Sequence, residues 1–301
     1  MGYLTAIVLG AAAGGGVPQW NCRCDVCQLA WSGDPRVKSR TQASLAVSAD
    51  NEHWALLNAS PDLRAQIQAN PDLHPRGNKR GSPISAVLLT GAEIDQTAGL
   101  LNLRERSPFM LHGTAASLAA IADNPMFSAL APDVVTRRAL MPAQRFSLVS
   151  GIEAELFLVP GKVPLYLEGD DPDTASESAA NVGVEITAGT ARLVYVPGAA
   201  AITPAMRQRF EKAEVVMFDG TVLTDDEMIR TGTGAKTGRR MGHMPLEGPE
   251  GSLTALAGLR ARRILVHINN TNPILIDGSP ERRRIEAAGW EVAEDGLKVA
   301  L

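Results

Sequence analysis

Aromatic residues are scarce in this chain: phenylalanine, tryptophan and tyrosine together make up 4% of its 301 positions. So few aromatic side chains argue against a surface that stacks nucleic-acid bases. The formal net charge of −4 points the same way, because nucleic-acid surfaces are rich in lysine and arginine. We therefore expect a protein that has no nucleic-acid partner.

Long apolar segments are also absent, since no apolar run approaches the roughly 20 residues that are needed to span a bilayer. The first ten residues lack the basic start of a secretory signal. A hydrophobic content of 45% and a charged content of 21% are typical of a globular protein. We expect a cytoplasmic protein without a membrane partner. A homodimer is one possible oligomeric state.

Cysteine is rare and clustered, as the only three cysteines are Cys22, Cys24 and Cys27. An odd number cannot pair completely in disulfides, and a chain without a secretion signal favours metal binding. The Cys-x-Cys-x-x-Cys spacing can bring three thiolates onto one tetrahedral ion, for which zinc is the usual choice. The alternative is three unrelated thiols. An ion with no open coordination position would be structural.

The most informative stretch covers residues 87–101, with the sequence VLLTGAEIDQTAGLL. It begins with the apolar run of a buried strand, continues through a polar turn and ends with the small apolar residues of a helix. Glu93 and Asp95 are two positions apart in the turn, so in an extended segment their carboxylates point the same way. Acidic side chains after a buried strand are typical of a metal or catalytic site.

Other polar residues follow apolar segments elsewhere in the chain. Ligand groups tend to cluster at such strand ends, although solvation of the strand end or bonding within the next turn are the alternatives. The glycine-rich segment 232–243 could admit an anionic small molecule or form a plain surface loop. The residues at these positions are Asn58, Asp219, His243, His267 and Asn269.

The alternation of apolar strands with helices predicts one domain over residues 1–301, built from two sheets with outer helices. Strands are predicted over 3–10, 44–48, 54–58, 152–159 and 182–187, among others. Helices are predicted over 203–212 and 253–259. The acidic segment 168–180 is predicted to be a loop, because it has few aliphatic residues.

The stretch 87–101 resembles the signature of the metallo-β-lactamase fold, in which a buried strand runs into Thr-His-x-His-x-Asp-His and a Gly-Leu helix. Thr90, Asp95, Gly99 and Leu100 match that signature. The histidine positions instead hold Gly91, Glu93 and Gln96. The resemblance implies an α/β fold, an αββα sandwich of two mixed β-sheets with outer helices. The three missing imidazoles put the family's two-zinc hydrolysis in doubt.

A longer resemblance spans nearly the whole chain, through the segments AAAGGGVPQWNCRCDVC, RTQASLAVS, LLNASPDLR, FDGTVLTDDEM, GRRMGH and VHINNTNP. These segments closely resemble the protein B family of pyrroloquinoline quinone (PQQ) biosynthesis, a divergent metallo-β-lactamase-fold family. The resemblance implies a role in making the redox cofactor PQQ. It further implies iron-dependent hydroxylation of a tyrosine-derived precursor, or, alternatively, carriage of PQQ or a precursor. A metal-dependent hydrolase ranks third.

The same resemblance implies roles for particular residues. Relatives that hydrolyse phosphodiesters have the three-cysteine zinc site, and their fourth ligand, a histidine, falls here at Asn270. Asp95, His243 and His267 match residues of their active site, so we expect these three to hold a catalytic Fe(II). Glu93 and Asp219 are alternative ligands or partners of the ligands. Asn58 and Asn269, from their positions after apolar strands and not from the resemblance, are expected to bind substrate. Two further ligand positions of the relatives fall at Pro160–Gly161 and Gly198.

Overall fold

The computed structural model describes residues 3–77, 79–170 and 173–301. In chain order the strands are β1 (Thr5–Gly10), β2 (Ser44–Ser48), β3 (Trp54–Leu57), β4 (Ile84–Leu88), β5 (Phe109–Thr114), β6 (Val135–Leu140), β7 (Arg145–Val149), β8 (Ile152–Pro160), β9 (Glu177–Ala188), β10 (Ala191–Val196), β11 (Val215–Asp219), β12 (Arg262–Val266), β13 (Trp290–Val292) and β14 (Lys298–Ala300). They form two seven-stranded sheets, ordered β14-β1-β2-β3-β4-β5-β6 and β13-β12-β11-β10-β9-β8-β7.

Both sheets are mixed and follow the same plan. In the first, the pairs from β14 to β3 are antiparallel and the pairs from β3 to β6 are parallel. In the second, the pairs from β7 to β10 are antiparallel and those from β10 to β13 are parallel. Strands β3 and β11 are buried along their whole length, as expected of strands covered on both faces.

Helices cover the outer faces of the sheets. The α-helices are α1 (Asp25–Trp31), α2 (Leu63–Ala69), α3 (Ile94–Thr97), α4 (Ala115–Ala122), α5 (Pro204–Glu211), α6 (Glu227–Arg230), α7 (Ser252–Ala255) and α8 (Pro280–Ala287). Short 3₁₀ helices span Pro71–Leu73, Ala98–Leu103, Pro125–Ala129, Leu165–Leu167, Arg239–Met241 and Pro273–Leu275. No helix in the described part of the chain is both long and apolar enough to cross a membrane.

The core has three layers. Between the sheets, side chains such as Leu57 from the first sheet pack with Ile186 and Met217 from the second. Outside the first sheet, Leu63 of α2 belongs to a second cluster, and outside the second sheet, Phe210 of α5 belongs to a third. Burial of apolar side chains on both faces of each sheet holds the four layers together. The predicted αββα sandwich is confirmed.

Some predicted elements differ from the structure. The helix predicted over 253–259 is limited to α7, and the backbone beyond it turns at Gly258, whose φ is +79°. The segment 168–180 is not all loop, because β9 begins at Glu177; its residues 171–172 lie outside the described part of the chain. Strands β6 and β7 were not predicted, since β6 exposes its four central residues. The single domain over 1–301 stays a prediction.

Candidate active site and thiolate cluster

A cavity of about 420 Å³ lies where segments of both sheets meet. Asp95 reaches it from the turn after β4, in the first sheet, and His267 follows β12, in the second. His243 and Asn269 line it from the loops of the second half. This position, beyond the carboxyl ends of parallel strands, is where open α/β sheets usually bind ligands. The strand ends therefore bring together side chains that are far apart in sequence.

His267 is held at both ring nitrogens. Its Nε2 lies 2.9 Å from Asp95 Oδ2, and its Nδ1 lies 2.9 Å from Thr221 Oγ1. Burial lowers the pKa of His267, but the hydrogen bond and charge of Asp95 outweigh it, so the pKa is raised. Its backbone has a φ of +54°, the left-handed region that residues other than glycine seldom adopt. The imidazole is thus fixed against Asp95.

His243 is fixed by Asp219, the last residue of β11. Its Nδ1 lies 2.7 Å from Asp219 Oδ2, and its ring stacks on that of His267 with 5.1 Å between centroids. Asp219 is fully buried; burial raises its pKa, but the charge and hydrogen bond of His243 outweigh this, so the pKa is lowered. A Cβ added at Gly198 would lie 3.1 Å from His243 Cε1, so glycine leaves room for the ring.

Thr221 joins the two histidines to Asp219, and sequence reasoning missed it. Its hydroxyl lies 2.6 Å from Asp219 Oδ1, 2.9 Å from His267 Nδ1 and 3.1 Å from His243 Nδ1. Because a hydroxyl has one proton, donation to the close carboxylate leaves Oγ1 to accept from the rings. Both rings then carry Nδ1–H, which leaves the Nε2 of each ring as the nitrogen available to a metal; without one, His267 Nε2 donates to Asp95 Oδ2 at 2.9 Å. The only sequence signal was the Asp-Gly-Thr turn after β11.

Glu93 lies at the cavity wall, and its carboxylate is bonded to residues other than the imidazoles. It precedes α3, where its backbone N–H donates to Gln96 Oε1 at 3.1 Å, as in a capping box. Its Oε1 lies 2.8 Å from Lys162 Nζ and accepts a hydrogen bond from Leu165 N. Glu93 therefore secures the segment after β8, and its role as an alternative metal ligand stays a prediction.

Asn58 is in a different place from the one expected of a substrate ligand. It is fully buried, and it does not line the cavity. Its Oδ1 accepts hydrogen bonds from Thr90 N at 2.9 Å and from Thr90 Oγ1 at 3.1 Å. Asn58 is therefore not placed to bind substrate in the cavity, contrary to the prediction. Its side-chain amide instead ties the end of β3 to Thr90, which follows β4.

The three cysteines converge with Asn270 in a separate cluster. The sulfurs lie within 4.8 Å of one another, and Asn270 Nδ2 lies 3.1 Å from Cys22 Sγ, 3.7 Å from Cys24 Sγ and 3.3 Å from Cys27 Sγ. Burial raises the pKa of Cys24 to about 12 and also raises that of Cys27.

Neutral thiols are therefore favoured unless a cation compensates for the lost hydration. Three sulfurs and an amide make a donor set that fits one tetrahedral zinc ion, provided that the amide of Asn270 turns so that Oδ1 faces the sulfurs. This cluster would then tie the segment of Cys22–Cys27 to the loop after β12, without a free position for catalysis.

The fold and site define a class of protein. The family described as the beta-lactamase superfamily domain matches residues 53–268. A crystal structure of a diphosphatase of the PhnP family shares this fold, with a TM-score of 0.68 and 19% identity over 99% of this chain and 97% of that one. The likeness at this level of identity concerns the fold alone.

Closer relatives narrow the class. The coenzyme PQQ synthesis protein B of Methylorubrum populi is 55% identical over 98% of this chain and 99% of its own length. That of Rhizobium meliloti is 52% identical over 99% and 98%. The crystal structure of Zn²⁺-bound PqqB from Methylobacterium extorquens has a TM-score of 0.97 and 54% identity, covering 99% and 100% of the chains. The chain belongs to the coenzyme PQQ synthesis protein B family.

Proposed function

We propose that this protein takes part in PQQ synthesis by Fe(II)-dependent hydroxylation of a tyrosine-derived precursor. Membership of the PQQ synthesis protein B family supports the pathway. Hydroxylation is supported mainly by one observation: the imidazoles of His243 and His267 are stacked, and the carboxylate of Asp95 lies beside them. Two histidines and one carboxylate, with positions left open, form the usual ligand set of non-haem iron oxygenases.

Asp95, His243 and His267 are the residues that would hold the iron. Asp219 is an alternative by proximity, since one ligand atom each of Asp219, His243 and His267 lie within 4.8 Å of one another. Its oxygens, however, already accept hydrogen bonds from Ala199 N, from Thr221 and from the His243 ring. Asp219 and Thr221 therefore suit the role of orienting the ligands, as carboxylates behind metal-bound histidines commonly do.

Bound Fe(II) would supply the activation of O₂ that an aromatic hydroxylation needs. One oxygen atom would enter the ring and the other would leave as water, with two electrons and two protons supplied by an external reductant such as ascorbate. The chain contributes the surroundings of the ring to be hydroxylated. Ile94, Leu165 and Met241 give the cavity apolar wall that suits an aromatic ring. Lys236 lines the same cavity and is held only loosely, at 3.7 Å from Glu168, so it can approach a carboxylate of an amino-acid-derived compound.

Hydrolysis by a pair of zinc ions is disfavoured by the residues in the turn after β4. A Cβ added at Gly91 would lie 2.5 Å from Gln96 Oε1 and 3.1 Å from the carbonyl oxygen of Ala180. An imidazole therefore cannot replace Gly91 without displacing its neighbours. Gln96 in turn is engaged with the backbone of Glu93. At position 91, therefore, the turn has no room for an imidazole while Gln96 and Ala180 keep their present positions.

The test is to load the protein with Fe(II) without oxygen, add a probe together with ascorbate as the two-electron reductant, and admit ¹⁸O₂. L-Tyrosine and tyrosine-containing dipeptides are the probes, and mass spectrometry measures oxygen incorporation. We expect a labelled hydroxylated product from the wild type and from His53→Ala, an exposed histidine outside the cavity. His267→Ala should yield none.

Equal product from His267→Ala, or no product from the wild type, would contradict the proposal. Tight binding of a probe that is unaffected by metal removal would support the carrier function instead. The cytoplasmic location and the small-molecule partner are parts of this same proposal.

A further inference from the structure

Asn269 lies on the cavity wall two residues after His267. Its backbone N–H donates to the carbonyl oxygen of Thr221 at 3.0 Å, which fixes the loop beside the histidines. The residue is 9% exposed, so part of it stays open to the cavity. Which atom of its amide is presented there decides what kind of group it can bind.

The amide nitrogen is tied back into the protein. Asn269 Nδ2 lies 2.6 Å from Thr271 Oγ1 and 3.1 Å from Met228 Sδ. Thr271 Oγ1 in turn lies 2.6 Å from Oε1 of Glu227, a residue that is 1% exposed. The other carboxylate oxygen of Glu227 accepts a hydrogen bond from Leu223 N at 2.7 Å. A relay therefore runs from a buried acid through a hydroxyl to the amide.

Proton counting fixes the orientation of the amide. When Glu227 is ionised, it only accepts, so the single hydroxyl proton of Thr271 goes to it. Thr271 Oγ1 must then accept from Asn269, which requires Nδ2 on that side. Met228 Sδ is a weak acceptor that favours the same orientation, but it does not hold the amide without Thr271. Oδ1 is left toward the cavity, and no protein donor within the described residues is bonded to it.

We propose that Asn269 Oδ1 accepts a hydrogen bond from the ammonium group of the substrate, and that Thr271 and Glu227 are positioning residues for it. An acceptor at this point repels the lone pairs of a carboxylate and favours an N–H group. The carboxylate of an amino-acid-derived compound is left for Lys236, which lines the same cavity. The choice of an amino-acid-derived ligand rests on the proposed function.

The experiment compares two probes that differ only at the amino group: L-tyrosine and 3-(4-hydroxyphenyl)propionate. Calorimetry measures their affinities for the full-length, metal-loaded protein without O₂, so that no turnover occurs. The wild type should bind L-tyrosine about tenfold more tightly, as expected for one hydrogen bond to a charged donor. Thr271→Val should reduce this preference to about twofold or less, because the amide becomes free to turn.

Matched variants separate positioning from general damage. Thr271→Ser restores the hydroxyl and should restore the preference, and Thr254→Val removes an exposed hydroxyl outside the cavity and should leave it unchanged. Equal affinities for both probes in the wild type, binding of neither probe, or a preference that survives in Thr271→Val would overturn the proposal. Because no chemistry is involved, binding preference without ¹⁸O incorporation would refute the hydroxylase while leaving this inference standing.

Discussion

Thr221 shows how a single hydroxyl can set the state of two imidazoles. It reaches Asp219, His243 and His267 at 3.1 Å or less. By accepting from the Nδ1 side, it leaves the Nε2 side of His267 facing Asp95. The tautomer of a metal-bound histidine is usually fixed in this way by the partner of its second nitrogen.

Replacement of Thr221 by valine should therefore weaken metal binding without unfolding the chain. We expect Fe(II) affinity, measured by titration without oxygen, to fall by about 10-fold to 100-fold, as for other partners of ligating histidines. Thr221→Ser keeps the hydroxyl and should stay near the wild type. An unchanged affinity in Thr221→Val would show that Asp219 alone orients the rings.

Glu227 should make stability depend on pH. Burial raises its pKa from 4.5 to about 7 in the folded chain. Between these values the unfolded chain binds fewer protons than the folded chain, so the free energy of unfolding decreases as pH rises. The full loss is about 3 kcal/mol, since each pKa unit corresponds to about 1.4 kcal/mol.

Urea denaturation at several pH values between 4.5 and 7 measures this effect. Glu227→Gln keeps the shape but cannot ionise, so its stability should fall less over that range than the stability of the wild type. Parallel curves for the two proteins would show that Glu227 is not the group responsible. Other titrating residues affect both proteins equally and cancel in the comparison.

At the scale of elements, the thiolate cluster joins two loops that are distant in sequence. Cys22 and Asn270 are 248 positions apart, and the Asn270 amide faces all three sulfurs. A shared ion would connect the loop before α1 to the loop after β12. The latter loop also carries His267 and Asn269, so the cluster supports one wall of the cavity.

Asn270→His should tighten zinc binding at this cluster. An imidazole is a better zinc ligand than an amide oxygen, and structural zinc contributes directly to folding. We expect slower loss of zinc to a chelator, followed by absorbance, and a higher melting temperature in the zinc-loaded form. Cys27→Ser is the opposite control and should lose zinc faster. Faster zinc loss from Asn270→His than from the wild type would argue against Asn270 as the fourth ligand position.

Elements with a strong apolar pattern could be predicted from the sequence, whereas those defined by tertiary contacts could not. The strand predicted over 152–159 is β8, and the helix predicted over 203–212 is α5. In contrast, β9 starts at Glu177 within a polar segment, because pairing with β8 decides its beginning. For the same reason, the exposed strand β6, held by pairing with β5, gave no pattern to detect.

In the candidate site, too, residues next to apolar strands could be predicted from the sequence, whereas those placed by tertiary contacts could not. Asp95, Asp219 and His267 were suggested by their places after apolar strands, and the structure brings them together. Glu93 carries the same sequence signal but faces Lys162. The relay through Thr271 and Glu227 could not be seen, since it depends on contacts between residues 44 positions apart.

At the scale of the whole molecule, the site lies across the two sheets. Asp95 follows a strand of the first sheet and His267 a strand of the second, 172 positions later. A cation held by both would therefore link the two halves of the sandwich in the folded state only. Ligands that bind only the folded chain stabilise it in proportion to the logarithm of their concentration.

Fe(II) should consequently raise the thermal stability of the zinc-loaded protein. At a free concentration about 100 times its Kd, the expected gain is about 2.7 kcal/mol, measured by calorimetry without oxygen. His267→Ala should abolish the gain, and His53→Ala should retain it. If His267→Ala keeps the full gain, Fe(II) binds somewhere other than the cavity.

The left-handed backbone at His267 lowers the stability of the folded chain locally. A side chain in that conformation costs on the order of 1 kcal/mol, which glycine would not incur. The hydrogen bonds of the imidazole to Asp95 and Thr221 oppose that cost, because a glycine would leave both partners without it. The backbone at position 267 is thus kept in a conformation suited to glycine by the contacts of a side chain that glycine does not have.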